Sequence, residues 1–111
     1  PVFDGTFDQC QQFSIHPMAW SPTGGGRLFR EDDATAVRLH SVMAGLSEKY
    51  GHATSDQLCY AWILAHPAGP MAVTGTNKID RLQSLARCTG VTLEREDWYA
   101  LTEAARGARI P

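Results

Sequence analysis

Apolar residues follow two different spacings along this chain. Ile15 to Trp20 is a run of six mostly apolar residues, and Met71 to Thr74 is a shorter one. Continuous apolar runs of that length, bounded by Gly and Pro, predict buried strands. Elsewhere the spacing is helical. Leu39, Val42, Met43, Leu46 and Tyr50 fall at i, i+3, i+4, i+7 and i+11, which predicts an amphipathic helix over Ala34–Tyr50 with Gly51 closing it. Thr54 followed three residues later by Gln57 fits a capping box. The helix behind it is expected to reach about Ala65, burying Leu58, Ala61, Trp62 and Ala65, with Pro67 and Pro70 beyond its end. Shorter helices are predicted over Phe7–Phe13, started by Thr6 or Asp4, and over Lys78–Cys88. A last one, Glu94–Arg106, is expected to carry Trp98, Leu101 and Ala105 on one face.

Strand, helices, strand, helices is the order of parallel βα units, so the fold class is α/β. Two parallel strands cannot cover both of their own faces or satisfy their edges. The expectation is therefore one part of a larger sheet or barrel, without repeats, linkers or low-complexity tracts. The chain also begins at Pro1 in a Pro-Val-Phe-Asp-Gly-Thr stretch that reads as mid-domain sequence.

Composition narrows the partners. The chain has 111 residues, 43% of them hydrophobic and 20% charged, which is the balance of one globular domain. A net charge of −2 carries no nucleic-acid footprint and no attraction to an anionic membrane. No apolar run nears the roughly 18 residues of a spanning helix. Cys10, Cys59 and Cys88 are odd in number and widely spaced, which predicts buried free thiols. His16, His40, His52 and His66 show no metal-ligand spacing, so each is expected to be solvated or to cap a turn, and no metal site is predicted. A cytoplasmic location is the default these features leave.

The candidate chemistry lies just past the strands. Pro17-Met18-Ala19-Trp20-Ser21-Pro22-Thr23-Gly24-Gly25-Gly26 ends a strand in an aromatic ring, a hydroxyl and three glycines. Ligands of α/β proteins sit beyond the carboxyl ends of the strands, where free N–H groups gather. Glycine lets a backbone approach a bulky anion closely. A phosphate-bearing ligand under an aromatic ring fits this segment, although an ordinary strand-to-loop exit explains the same residues taken alone. Gly75-Thr76-Asn77-Lys78, opening the next helix, repeats the logic at a helix N-terminus.

Several motifs stand in register here. They are Gly5-Thr6 through Gln11, Met18-Ala19-Trp20-Ser21-Pro22, Ala61-Trp62 through His66-Pro67, Gly75-Thr76-Asn77-Lys78-Ile79-Asp80-Arg81-Leu82, and Trp98 through Pro111. Together they resemble the C-terminal third of an aldo-keto reductase, an NADPH-dependent (β/α)8 TIM barrel, in the bacterial subgroup with an M-A-W-S-P-x-G-G-G-R-L-F motif. The resemblance implies barrel strands seven and eight with their flanking helices, as a single C-terminal portion over residues 1–111.

By that resemblance Trp20 stacks on the nicotinamide and Ser21 bonds the pyrophosphate. Pro22, Thr23, Gly24, Gly25, Gly26 and Arg27 form the loop over the cofactor, with Thr23 standing where the family usually has Leu. Gly75, Thr76, Asn77 and Lys78 meet an anion at the helix start, and Arg81 addresses the adenine and the ribose 2′-phosphate that distinguishes NADP from NAD. Solvated positions remain the plain reading of Arg27, Lys78 and Arg81. Many members carry Glu-Asn for the adenine edge where Ser84 and Leu85 stand here. Tyr50, Trp62 and Trp98 are assigned to packing. The family's catalytic Asp, Tyr, Lys and His come from earlier strands, so no catalytic residue is expected in this chain. The function implied is the cofactor-binding part of a reductase of aldehydes or ketones, its partners a small carbonyl substrate and the rest of the barrel. A non-catalytic nicotinamide-binding subunit and a barrel remnant serving as an interaction domain are the alternatives.

Overall fold

A computed structural model describes residues 1–111. Helix α1 spans Thr6–Gln12, strand β1 Met18–Ala19, α2 Ala34–Ser47, α3 Ser55–Leu64, β2 Met71–Ala72, α4 Ile79–Ala86 and α5 Arg95–Arg106. Short 3₁₀ turns at Arg27–Phe29, Glu48–Tyr50 and Arg87–Gly90 complete the order. The strands are parallel, with Met18 beside Met71 and Ala19 beside Ala72. The ladder extends by one bond at each end, from the Met71 N–H to the Pro17 carbonyl and from the Val73 N–H to the Ala19 carbonyl, both 2.9 Å.

Local signals account for the helix ends. The Thr54–Gln57 capping box is complete, and Gly51 takes a left-handed φ of 67° where the Glu48–Tyr50 turn stops. The N-cap of α1 is neither Thr6 nor Asp4 but Gly5, at a left-handed φ of 84°, and Asp4 Oδ1 accepts the Thr6 N–H at 2.9 Å from one residue before it. Asp33 caps α2 by accepting the Ala36 N–H at 3.0 Å. Lys78 lies just outside α4, which stops at Ala86 and gives way to a 3₁₀ turn, so the predicted Lys78–Cys88 helix is shorter at both ends.

The core is helical. Leu28, Met43, Leu46, Ala53, Leu58 and Leu101 form one buried cluster, with Leu39, Val42, Tyr50 and Trp62 packed against it. This matches the predicted stripe of α2. The predicted faces of α3 and α5 need correction: Ala65 and Ala105 are exposed, while Gln57, Ile63 and Thr102 are buried instead. Leu58, Ala61 and Leu101 are buried and Trp62 and Trp98 half-buried as expected, so the faces otherwise stand, and that of α3 is wider than predicted, taking in Tyr60 as well. Trp62 and Trp98 stack at 5.1 Å between centroids, and each indole N–H reaches a partner. Of the thiols only Cys88 is fully buried; Cys10 and Cys59 are half-buried, and all three are free. His40 lies on no solvated face. Its Nε2 donates to the Leu28 carbonyl at 2.6 Å, and its Nδ1 accepts from the Ser55 hydroxyl at 3.2 Å, joining three elements.

The strands depart most from expectation. Only two residues of each predicted run are paired, and the runs are not buried: Met18 is 69% exposed, Trp20 80% and Met71 52%. A parallel sheet is covered by strands and helices on both sides, and here two strands have helices against part of one side only.

Tyr50 and Lys49 fasten α2 to α5 by polar contacts. Lys49 Nζ donates to Glu94 Oε2 at 2.8 Å and to Asp97 Oδ2 at 2.7 Å. The Tyr50 hydroxyl donates to Asp97 and accepts the Glu94 N–H. Lys49, and secondarily Tyr50, hold the Asp97 carboxyl below its usual range. A carboxyl depressed in the folded state stabilises above its unfolded value and ceases to do so as pH falls through the folded one. Melting temperature should accordingly decline as the pH drops below about 4. Asp97→Asn should melt lower at neutral pH and show a shallower acid decline, with the remaining slope belonging to Asp4, Asp32 and Asp33, which are depressed too. Circular dichroism melts of both proteins across pH 2–7 test this, and equal slopes would assign no share to Asp97.

Candidate functional site

Parallel pairing brings the carboxyl ends of both strands to the same edge of the molecule, and every residue singled out by sequence leaves from that edge. Past β1, Ser21 adopts a left-handed φ of 50°, a conformation uncommon for a residue with a side chain. Gly24, Gly25 and Gly26 follow at φ 64°, 65° and 90°. Three successive left-handed residues are accessible to glycine and to little else. The Ser21 carbonyl accepts the Gly24 N–H at 2.8 Å and the Thr23 carbonyl the Leu28 N–H at 3.2 Å, closing the loop on itself.

Two further contacts fix that loop from below. Cys59 on α3 donates its thiol to the Pro22 carbonyl at 2.9 Å. Burial, aided by the nearby Asp56 charge, pushes this thiol up to about 11, so it stays protonated and able to donate. Arg27 reaches Asp33 through both Nε, at 2.9 Å, and Nη2, at 2.8 Å. Since Asp33 also caps α2, one carboxylate ties the end of the loop to the helix after it.

The opposite wall comes from the segment after β2. Thr74 Oγ1 accepts the Thr76 N–H at 3.5 Å, and Thr76 Oγ1 accepts the Lys78 N–H at 3.2 Å. The chain is thereby turned into α4, and Arg81 sits in its first turn, exposed and without an ion-pair partner. Between the two walls lies a groove of about 600 Å³. Its first wall is made by Ser21, Pro22, Thr23, Gly25, Gly26 and Phe29, its second by Thr74, Gly75, Thr76, Asn77, Arg81 and Leu85, and α3 contributes Asp56 and Tyr60.

Nine of the residues singled out from the sequence therefore meet in one place: Ser21, Pro22, Thr23, Gly25, Gly26, Gly75, Thr76, Asn77 and Arg81. Four others do not line it. Trp20 is exposed at the strand end, one residue before the lining begins, and Lys78 stands outside it as the residue before α4. Gly24 and Arg27 face a smaller cavity of about 140 Å³ under the loop, with Asp33, Thr35 and Cys59. The sequence reading missed Asp56, Tyr60 and Phe29. Its available signal was the capping box, because a helix whose start is fixed at Thr54 projects residues 56 and 60 from one face, four positions apart.

The groove carries one positive side chain, Arg81, and one carboxylate, Asp56. Its volume falls in the range of small-molecule pockets. A Cβ built on Gly25 or Gly26 would meet no atom within 4 Å, so the left-handed backbone and not crowding is what calls for glycine at these positions. The N–H groups of Gly25, Gly26 and Asn77 make no hydrogen bond within the chain, and Arg81 adds the positive charge. Free N–H donors and a cation suit phosphate groups, and the exposed indole of Trp20 offers a face on which a flat ring could stack.

Comparison with known proteins agrees with the architecture. The family model described as Aldo/keto reductase family matches residues 4–106. An uncharacterized oxidoreductase of Bacillus subtilis, YcsN, is 34% identical over 110 residues, covering 99% of this chain and 37% of that protein. The oxidoreductase YdhF of Escherichia coli is 36% identical over 110 residues and is covered to 36% of its length. A 6-dehydroglucose reductase of Novosphingobium aromaticivorans is 35% identical over 108 residues, with 97% of this chain and 35% of that protein aligned. The chain thus spans a little over a third of these relatives. In fold, it superposes on part of the thermostable aldo-keto reductase Tm1743 with a TM-score of 0.70 at 24% identity, covering 96% of this chain and 34% of the other.

Proposed function

Because the chain belongs to the aldo/keto reductase family, we propose that it is the dinucleotide-gripping part of a (β/α)8 barrel reductase, contributing strands seven and eight and the closing helices. The reaction is reduction of an aldehyde or ketone, in which NADPH supplies the hydride. The observation that carries this reading is the single groove where two glycine- and threonine-rich strand exits converge with one unpaired arginine.

Each group has a distinct task there. Trp20 presents an exposed ring at the end of β1 for the nicotinamide to stack on. The Ser21 hydroxyl and the N–H groups of Gly25 and Gly26 bind the pyrophosphate, at a loop already held in shape by Cys59 and by the Arg27–Asp33 pair. With Arg27 committed to Asp33, its part is to position the loop. Thr76, Asn77 and the start of α4 meet the adenosine side, and Arg81 binds the 2′-phosphate. Proton donation to the carbonyl belongs to residues of the earlier strands, which complete the barrel and shape the carbonyl pocket. The uncovered faces of β1 and β2 are the surfaces those strands occupy. That the relatives are named oxidoreductases and a reductase supports an enzyme over a non-catalytic subunit.

Titrating the full-length protein with NADPH should quench tryptophan emission saturably, with Trp20 the main contributor. Absence of saturable NADPH binding by calorimetry overturns the proposal.

A further inference from the structure

We propose that Asp56 reads the adenine amino group, and that this carboxylate on α3 makes the site specific for adenine over other purines. The inference rests on the groove being the dinucleotide site and adds a recognition element from a different helix. An adenine lying against the Arg81 guanidinium presents an exocyclic N6 amine, a donor that needs an acceptor at the groove wall. Of the α4 residues only Arg81 and Leu85 line the groove, and neither side chain is an acceptor. Ser84 is turned inward, its carbonyl and hydroxyl accepting from Gln57 Nε2 at 2.7 and 3.2 Å, and Leu85 is buried against Tyr60 and Cys88.

Asp56 meets the requirement from across the groove. It lines the same groove as Arg81, Tyr60 and Leu85, in the first turn of α3. Its Oδ1 accepts the Gln57 N–H at 3.0 Å and the Thr54 hydroxyl, which fixes the side chain. Its Oδ2 takes part in none of the hydrogen bonds or ion pairs of the chain. A held carboxylate with one oxygen to spare is an acceptor-only group. It gains from an amine and is repelled by a carbonyl oxygen, so it separates adenine from hypoxanthine, where an oxo group replaces the amine at the same ring position.

The test compares NADPH with its hypoxanthine analogue, reduced nicotinamide hypoxanthine dinucleotide phosphate, by fluorescence titration of the full-length protein. The wild type should bind NADPH at least about tenfold more tightly than the analogue, the size of one hydrogen bond to a charged group. Asp56→Asn keeps an oxygen for the Gln57 N–H, and its amide can donate to the oxo group. It should bring the ratio to near one or invert it, while leaving the preference for NADPH over NADH unchanged. A wild-type ratio near one overturns the assignment whether or not the variant folds, and so does an unchanged ratio in a folded Asp56→Asn. If the wild type binds neither nucleotide, the dinucleotide site itself has failed; tight NADPH binding without purine discrimination leaves that site standing and removes Asp56 from it.

Discussion

Arg81→Ala is expected to weaken NADPH binding roughly ten- to a hundredfold while changing NADH affinity little. Arg81 is the one positively charged residue lining the groove, and it has no internal partner; Arg27 and Lys78 both lie outside the lining. A charge-assisted contact of this kind is worth about 1.5–3 kcal/mol, which is about one to two decades in Kd. NADH has no 2′-phosphate, so it keeps everything it had apart from any stacking on the guanidinium. The side chain is exposed on α4 and bonded to nothing within the chain, so removing it should leave the melting temperature within about a degree or two. Arg81→Lys separates charge from shape. A point charge restores part of the phosphate contact but not the planar fork, so intermediate NADPH affinity is expected. Titrations of both nucleotides against wild type and variants at fixed ionic strength give the answer. An equal loss for NADPH and NADH would remove Arg81 from the phosphate.

How much of this could be read from the chain depended on whether the cause was local. The Thr54–Gln57 box and the Gly51 stop are settled within five residues, and both were legible. The heptad-like stripe of α2 was legible because five large apolar side chains agree on one face. The Asp33–Arg27 pair spans six residues of irregular backbone, and neither its geometry nor its effect on Arg27 follows from any period. His40 was misassigned for a related reason: the groups that claim its ring, Leu28 and Ser55, come from other elements, so no spacing within α2 reports them. Strand burial failed in a more basic way. An apolar run reports a side chain's preference for a covered surface, and the cover is supplied by other strands. Ile15, Met18 and Val73 carry the preference and remain exposed. The groove was half legible, since glycine, serine and threonine at the strand exits are sequence marks. The contribution of α3 became visible only when that helix was seen to start at the same edge.

Trp20→Ala is expected to have the largest effect on turnover, with little on stability. An indole that is 80% exposed leaves no cavity when truncated, so the loss of several kcal/mol that follows deletion of a core ring does not apply within this chain. What it loses is an exposed flat surface at the residue before Ser21, where the lining of the groove begins. Stacking on an aromatic partner is worth about 0.5–1.5 kcal/mol beyond area burial, a few-fold to tenfold in NADPH affinity. Turnover should fall further than binding, because a nicotinamide without its backing ring leaves the geometry that hydride transfer requires, and small misplacements cost on the order of a hundredfold. Trp20→Phe and Trp20→Tyr keep a ring and should retain most of both quantities. The order Trp, then Tyr and Phe, then Ala in kcat, with NADPH affinity following more weakly and the melting temperature nearly constant, is the signature of a stacking platform. Single-turnover rates measured with each variant saturated in NADPH separate the two effects. If instead the melting temperature falls with side-chain volume while NADPH affinity and kcat hold, Trp20 packs against the remaining strands and the nicotinamide is held elsewhere.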